Sequence, residues 1–334
     1  MRAVIQPTPT SPSSALTLTT DNPIPTANHT PIEHLIRVHA CSPCANELKW
    51  STYVDLPASR ALIPCPDVAG TVVTAPPDSP FQPGDAVYAR TNYLRPGNAR
   101  DYTIALINEL ARKPASLSWA EAAAVPVSAL TAWQILFVQA GVVVGLEVGL
   151  EAARAQWSGK RVLVTAAAGG VGLWVVQLAR LLGAEVIGTC GNAESEALVR
   201  ALGAGEVLNY RTTDFRRWAE DDTNRVDVVV DNVGGSALRD AWWTVRDGGV
   251  MVSIVQQPGP GRPQECSAKN VREVFFIMSP DGEQLQQITG LIEEGKCRPR
   301  VDSVWPLEHA REAFARLDGG HARGKIVLDL SLNQ

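Results

Sequence analysis

Residues 165–172 read Thr-Ala-Ala-Ala-Gly-Gly-Val-Gly, between an apolar run, Arg161–Thr165, and an amphipathic stretch, Gly172–Leu182. A strand that passes through small residues straight into a helix fits few architectures. The run matches the dinucleotide fingerprint, with Ala167 at the first glycine position, Gly169 at the second and Gly172 at the third. The second position lets the backbone approach a pyrophosphate, and the third allows close helix–strand packing. The free N–H groups and positive dipole end of the helix then face the phosphates. Ala168, Gly169, Gly170 and Val171 are therefore expected to hold a dinucleotide.

Beyond Leu182 the chain keeps the same rhythm. Strands are expected at Glu185–Thr189, Val207–Asn209, Val226–Asp231 and Val250–Val255, with helices such as Ser195–Leu202 between them. Apolar strands joined by helices imply a doubly wound parallel sheet. The first 125 residues read differently, as short strands and Pro/Gly turns: Arg2–Ile5, Leu16–Thr19, Ile32–His39, Val68–Val73 and the turn-plus-strand Phe81–Ala89. Ser118-Trp119-Ala120-Glu121 has the form of a capping box opening a helical region that runs on through Leu130–Gln139. A last strand is expected at Lys325–Leu330. The fold class is thus α/β, a Rossmann doubly wound sheet (residues 127–258) inserted into a discontinuous β-rich domain (1–126 and 259–334). Gly141–Gly149 reads equally as a buried helix or an insertion loop.

Composition narrows the function classes. Thirty Lys/Arg against thirty-five Asp/Glu give a net charge of −5 with no basic stretch, so no nucleic-acid footprint is expected. The longest apolar run, Ile135–Leu146, is well short of the ~20 residues that span a bilayer, so no membrane partner is expected. Pro7, Pro9 and Pro12 break any secretory signal, and six scattered cysteines read as reduced thiols. A cytoplasmic location is the resulting expectation.

The end of the second Rossmann strand bears on the cofactor. An NAD site usually carries an acidic residue there, on the ribose 2′-OH. Here the strand closes Gly188-Thr189-Cys190-Gly191-Asn192, with no carboxylate before Glu194. Two like charges 4 Å apart repel by about 4 kcal/mol at an effective dielectric near 20, roughly a thousandfold in affinity. Without that repulsion the 2′-phosphate of NADPH is accommodated, and Asn192, Tyr210 and Arg211 are placed to hydrogen-bond it. Closing loops is the plainer role for the same three residues.

Seven motifs in order resemble the medium-chain dehydrogenase/reductase superfamily, in its zinc-independent quinone oxidoreductase and enoyl reductase branch. They are Pro64–Gly70, Pro83–Val87, Ala122–Trp133, the glycine fingerprint, Asn209–Arg211, Asp227–Gly235 and Gly319–Leu328, and they cover nearly the whole chain. The resemblance implies a GroES-like catalytic domain, a Rossmann cofactor domain and a cleft between them. Zinc-dependent members use an early Cys, a His in Gly-His-Glu and a later Cys. Cys44 stands at the first position, but Pro66 and Asp67 replace His and Glu. Proline offers no donor atom, so no metal is expected. Cys41 and Cys44, with His39 and Cys65, make only a weak alternative set.

The chemistry implied is NADPH-dependent reduction of an activated C=C bond in an enone, enoyl or quinone substrate. A metal-free carbonyl reductase or alcohol dehydrogenase is the second reading, and a non-catalytic NADPH-binding protein the third. By resemblance, residues 46–53 line the cleft and supply Asn46 toward the cofactor and Lys49 and Tyr53 as candidate catalytic groups. Thr131 is expected at the nicotinamide ribose. Cys190, Asn232, Val233 and Ile254 end strands and are expected along the cofactor, and Lys325 at its phosphates. Phe275, Phe276 and Met278 suit a substrate wall or core, Trp242 and Trp243 packing, and His309 and His321 solvent. The protein is expected to act as a monomer or homodimer.

Overall fold

The computed structural model describes residues 1–27, 32–140 and 149–332. Two compact units emerge: Met1–Leu130 with Ser279–Gln334, and Thr131–Met278. Gly141–Gly149, left open by the sequence, lies almost wholly outside the described residues.

In the first unit, β1 (Ala3–Ile5) and β2 (Thr17–Thr19) form the expected small antiparallel hairpin. The main sheet begins with β3 (Glu33–Ser42), β4 (Asp67–Thr74), β5 (Ala86–Arg90), β6 (Tyr102–Leu106) and β7 (Leu110–Arg112). β3 buries alternate residues, as a one-sided strand should, with Ile36 and Val38 inward and Arg37 outward. Helix α1 (Trp119–Ala123) starts at the capping box read from sequence: Glu121 N–H donates to Ser118 Oγ, and Ser118 N–H donates to Glu121 Oε2. The next helix, α2 (Pro126–Gln134), carries the chain across the unit boundary.

The second unit continues with α3 (Gly149–Trp157), β8 (Arg161–Val164), α4 (Gly170–Leu181), β9 (Glu185–Cys190), α5 (Ala193–Leu202), β10 (Glu206–Asn209), α6 (Phe215–Trp218), β11 (Val226–Asp231), α7 (Gly235–Thr244), β12 (Val245–Ser253) and β13 (Arg272–Phe275). The six strands are all parallel, in the order β10-β9-β8-β11-β12-β13. That is the doubly wound order, whose connections reverse direction between β8 and β11. Leu163, Ile187, Val229, Trp242 and Met251 build a core against the sheet. Trp242 is fully buried with its indole N–H on Pro258 O, which makes it core as expected.

The boundary differs from the sequence reading. Residues 259–278 are expected in the first domain, but β13 pairs in register with β12 and completes the parallel sheet. Its Arg-Glu-Val-Phe sequence has exposed charges at its start, as befits an edge strand, and gives little periodic signal.

The chain then returns to the first unit through α8 (Gly282–Glu293), β14 (Val301–Pro306), α9 (Ala310–Asp318) and β15 (Lys325–Asp329). The finished sheet runs β14-β15-β3-β4-β5-β7, with β6 also on β3. Val68, Val72, Phe314, Ile326 and Leu328 are among the side chains of its core. His309 and His321 are exposed, as expected. Among the described residues no helix is long and apolar enough to cross a membrane.

Candidate active site

In the second unit, the residues singled out for a dinucleotide gather at the carboxyl ends of the parallel strands, where open α/β sheets bind ligands. The turn after β8 is held tightly. Ala166 adopts a left-handed conformation (φ 47°), and Ala167 N–H donates to Thr189 O on β9 at 3.1 Å. Any Cβ at Gly172 would collide with Ala166 O, so only glycine lets α4 start this close to the strand. Ala167 fills the first glycine position because β9 makes room: a Cβ at Gly188 would lie 2.9 Å from that of Ala167. Ala168, Gly169, Gly170 and Val171 form the turn and the first residues of α4 and are only partly buried. This cradle fits a pyrophosphate.

Cys190 ends β9 almost fully buried, and burial pushes its thiol up to about 11. Asn192 caps α5, its side-chain oxygen accepting Ser195 N–H at 2.9 Å. Tyr210, half-exposed at the end of β10, lays its hydroxyl over Gly191, where a Cβ would overlap it. The Arg211 guanidinium sits 5.9 Å from the Tyr210 ring. The three groups expected around a 2′-phosphate thus share one corner of the unit.

Asp231, which the sequence marks only as the end of a strand, organises the carboxyl end of β11. It is fully buried and receives Ser253 Oγ at 2.7 Å, Thr165 Oγ1 at 3.1 Å and the N–H groups of Val233 and Gly234. A carboxylate closing an all-valine run was the available signal, because a buried charge must be paired or richly hydrogen-bonded. Next to it, Asn232 donates from its side chain to Thr165 O at 2.8 Å, and its Oδ1 is enclosed without a donor. That acceptor fits an N–H-bearing group such as a carboxamide. Val233 is about half exposed, and Ile254 N–H donates to Asp231 O. Thr131, on α2, is 3% exposed.

In the first unit, Asn46 (φ 60°) turns the chain into a 3-10 segment, Glu47–Thr52, which carries Lys49; Tyr53 follows it. Lys49 is exposed and Tyr53 is 75% exposed, so within this unit both side chains face outward.

Lys325 requires a correction. Its expected reach to cofactor phosphates does not fit its surroundings, because the ammonium is 7% exposed and already partnered. Nζ lies 3.1 Å from Asp67 Oδ2, an ion pair not aligned as a hydrogen bond, and donates to Pro43 O. Asp67 Oδ1 accepts Val127 N–H at 2.7 Å. Burial drives the Asp67 carboxyl upward against the pull of Lys325, while Asp67 raises Lys325 against its own burial. Glu47 accepts Cys65 N–H at 2.9 Å and Cys44 N–H at 3.2 Å, and burial of its carboxyl lifts it to about 7.

These groups decide whether zinc fits. Pro66 contributes no donor, Asp67 is taken by Lys325, and Glu47 is taken by two backbone amides. Burial holds the Cys44 thiol up near 11, away from the thiolate a metal needs. His39 is turned to Thr71 Oγ1 at 2.9 Å and stacks on Trp119 at 4.3 Å. The residues present do not fit a catalytic zinc.

Comparison with known proteins agrees with this architecture. Residues 30–135 match the alcohol dehydrogenase GroES-like domain, and residues 202–328 match the zinc-binding dehydrogenase family. The chain is 51% identical over 95% of its length, and 94% of the relative's, to a "Probable zinc-binding oxidoreductase, mitochondrial" of Arthroderma benhamiae. It is 34% identical, over 82% of each chain, to a chloroplast envelope quinone oxidoreductase homolog of Arabidopsis thaliana. Among solved structures, an NAD-dependent alcohol dehydrogenase superposes with TM-score 0.84 at 27% identity, covering 99% of this chain and 100% of that one. A mycobacterial protein complexed with NADPH gives 0.80 at 25%, covering 98% and 100%. The organellar names overturn the cytoplasmic expectation: a broken apolar run argues against a secretory signal and carries no information about import into an organelle. The chain is an oxidoreductase of the medium-chain dehydrogenase/reductase superfamily, in its zinc-independent quinone oxidoreductase-like branch.

Proposed function

We propose that the protein reduces an activated C=C bond, in an enone, enoyl or quinone substrate, with hydride from NADPH and without a metal. The observation that carries this reading is the pairing of an intact nucleotide cradle with a zinc position whose donors are absent or already committed. When bound, the cofactor supplies hydride from nicotinamide C4. The chain's part is to bind, orient and shield. Ala168–Val171 present backbone N–H groups to the pyrophosphate, and Asn192, Tyr210 and Arg211 receive the 2′-phosphate. Cys190, Asn232, Val233, Ile254 and Thr131 line the remainder, with Asn232 Oδ1 accepting from the carboxamide. Lys49 and Tyr53 stand as the exposed ionisable groups of residues 46–53, and the proton that completes saturation comes through them or from water. The protein acts as a monomer or homodimer.

The likeness to an NAD-dependent alcohol dehydrogenase favours one second reading, metal-free carbonyl reduction with NADH. One assay separates them: oxidation of NADPH and NADH in metal-depleted buffer, with a quinone and an α,β-unsaturated ketone, and identification of the products. NADPH-selective formation of hydroquinone and saturated ketone is expected. An allylic alcohol, a preference for NADH, or full loss on chelation would overturn the reading.

A further inference from the structure

A pocket lies wholly within the first unit, with Trp50, Leu56, Leu62 and Tyr93 as apolar walls and Arg60 and Asn92 on its polar side. Trp50 and Tyr93 meet edge to face, 6.2 Å between ring centroids, and both are partly exposed. The free volume is about 30 Å³, room for about two waters or one carboxylate head, so the body of a larger molecule would rest on the two rings. Arg60 is partly exposed, and its Nε donates to Arg95 O at 2.9 Å, which fixes the plane of the guanidinium. Its Nη1 and Nη2 have no acceptor among the described residues, and neither is sealed from solvent. Nearby charge does not satisfy them. Arg95 is spent on Glu109, and Arg100, 6% exposed, donates from Nη2 to Thr103 Oγ1 at 3.0 Å while its Nε is enclosed without an acceptor. Burial, with the charges of Arg95 and Arg60, pushes Arg100 down to about 10. Glu47, the carboxyl that acts on Arg60, keeps both oxygens on the N–H groups of Cys65 and Cys44, and burial lifts it to about 7. Near neutral pH the three guanidinium groups therefore outweigh the carboxylates around them, and the excess faces the pocket through Arg60.

We propose that this pocket binds an organic monocarboxylate with a flat, unsaturated body, its carboxylate held end-on by Nη1 and Nη2 of Arg60 and its body against Trp50 and Tyr93. The two Nη groups form the planar fork that matches the two oxygens of a carboxylate. With Nε committed to Arg95 O, the end-on approach is the one left open. Asn92 adds a donor to the lining, because its Oδ1 accepts Leu94 N–H at 2.9 Å and its side-chain N–H groups are uncommitted. A single free fork and so small a volume suit a monoanion, and Glu47, which also lines the pocket, opposes a more highly charged group such as phosphate. Aromatic walls favour a flat body through stacked or edge contacts. The site needs nothing from the second unit and goes beyond the reading under Proposed function, so it stands or falls independently of that reaction.

Calorimetry of the full chain with benzoate and its neutral isostere benzamide tests this, with melting temperature and NADPH affinity as controls on each variant. The wild type is expected to bind benzoate about tenfold or more tightly than benzamide, the worth of a charge-assisted pair. Arg60→Gln should abolish that preference, and Arg60→Lys, which keeps the charge without the fork, should retain part of it. Trp50→Leu removes a wall that both compounds share, so it should weaken benzoate and benzamide alike. If Arg60→Gln does not fold, the partial loss of preference in Arg60→Lys, set against equal losses in Trp50→Leu, carries the same conclusion. Inorganic phosphate should displace benzoate poorly; phosphate bound more tightly than benzoate would overturn the carboxylate assignment. Equal affinity of the wild type for benzoate and benzamide, or a benzoate preference that survives intact in both Arg60 variants, would overturn the proposal and leave Arg60 a solvent-facing charge.

Discussion

Asp67 and Lys325 meet inside the first unit at 3.1 Å, one fully enclosed and the other 7% exposed. Removing one member of such a pair leaves a buried charge alone, which typically costs about 3–5 kcal/mol, whereas removing both costs far less. Lys325→Met is therefore expected to lower unfolding stability in urea by that order, with most of it recovered in Lys325→Met/Asp67→Asn. NADPH affinity of the folded single variant should change little; a large loss of affinity with stability intact would restore the phosphate-binding role. Glu47 gives a pH signature. Its folded pKa, about 7, lies above the ordinary carboxylate value, so the native state holds the proton more tightly than the unfolded chain. The corresponding stability is fully present below pH ~4.5 and is lost as pH rises through about 7. Melting temperatures of the wild type and Glu47→Gln should accordingly shift in favour of the variant between pH 5 and pH 8. A difference that is flat with pH would contradict the raised pKa. None of this was legible in the sequence, since Asp67 and Lys325 are joined only by the antiparallel pairing of β3 with β4 and with β15.

At the scale of elements, the strand–turn–helix at β8–α4 was the most readable feature, and the structure adds why its departure is tolerated. Ala167 replaces a glycine because Gly188, on the neighbouring strand, leaves room for the extra methyl group. Gly172→Ala has no such relief against Ala166 O, so it should destabilise the protein by about 1–3 kcal/mol and weaken NADPH binding at least tenfold. Fluorescence titration with NADPH checks this, and unchanged affinity would remove the cradle from the binding site. Asn192→Asp is a cleaner probe of cofactor choice, because aspartate keeps the α5 cap and adds only a negative charge. The ratio of kcat/KM for NADPH over NADH should fall tenfold or more; no change would show that the 2′-phosphate binds elsewhere. Val226–Asp231 and the Ser118 cap were legible to the residue because period, β-branching and capping chemistry are local. The Asp231 network was not, because it joins β8, β11 and β12 through side chains.

For the whole molecule, the doubly wound order and the return of the chain to its first sheet follow the sequence reading. The boundary after residue 258 does not, because an edge strand with polar outer residues leaves no strong pattern. Location departs from expectation for another reason: apolarity at the start of a chain speaks to one export route only. The proposed reaction class rests on the fold, the cradle and the zinc position whose donors are absent or committed. The most direct test is reduction of an enone with NADPH deuterated at the transferred position of C4, in metal-depleted buffer with a chelator present. Deuterium at the β-carbon of a saturated ketone, with turnover unaffected by the chelator, is the expected result. Deuterium on the carbonyl carbon, or activity that disappears with the metal, would contradict metal-free reduction of the C=C bond.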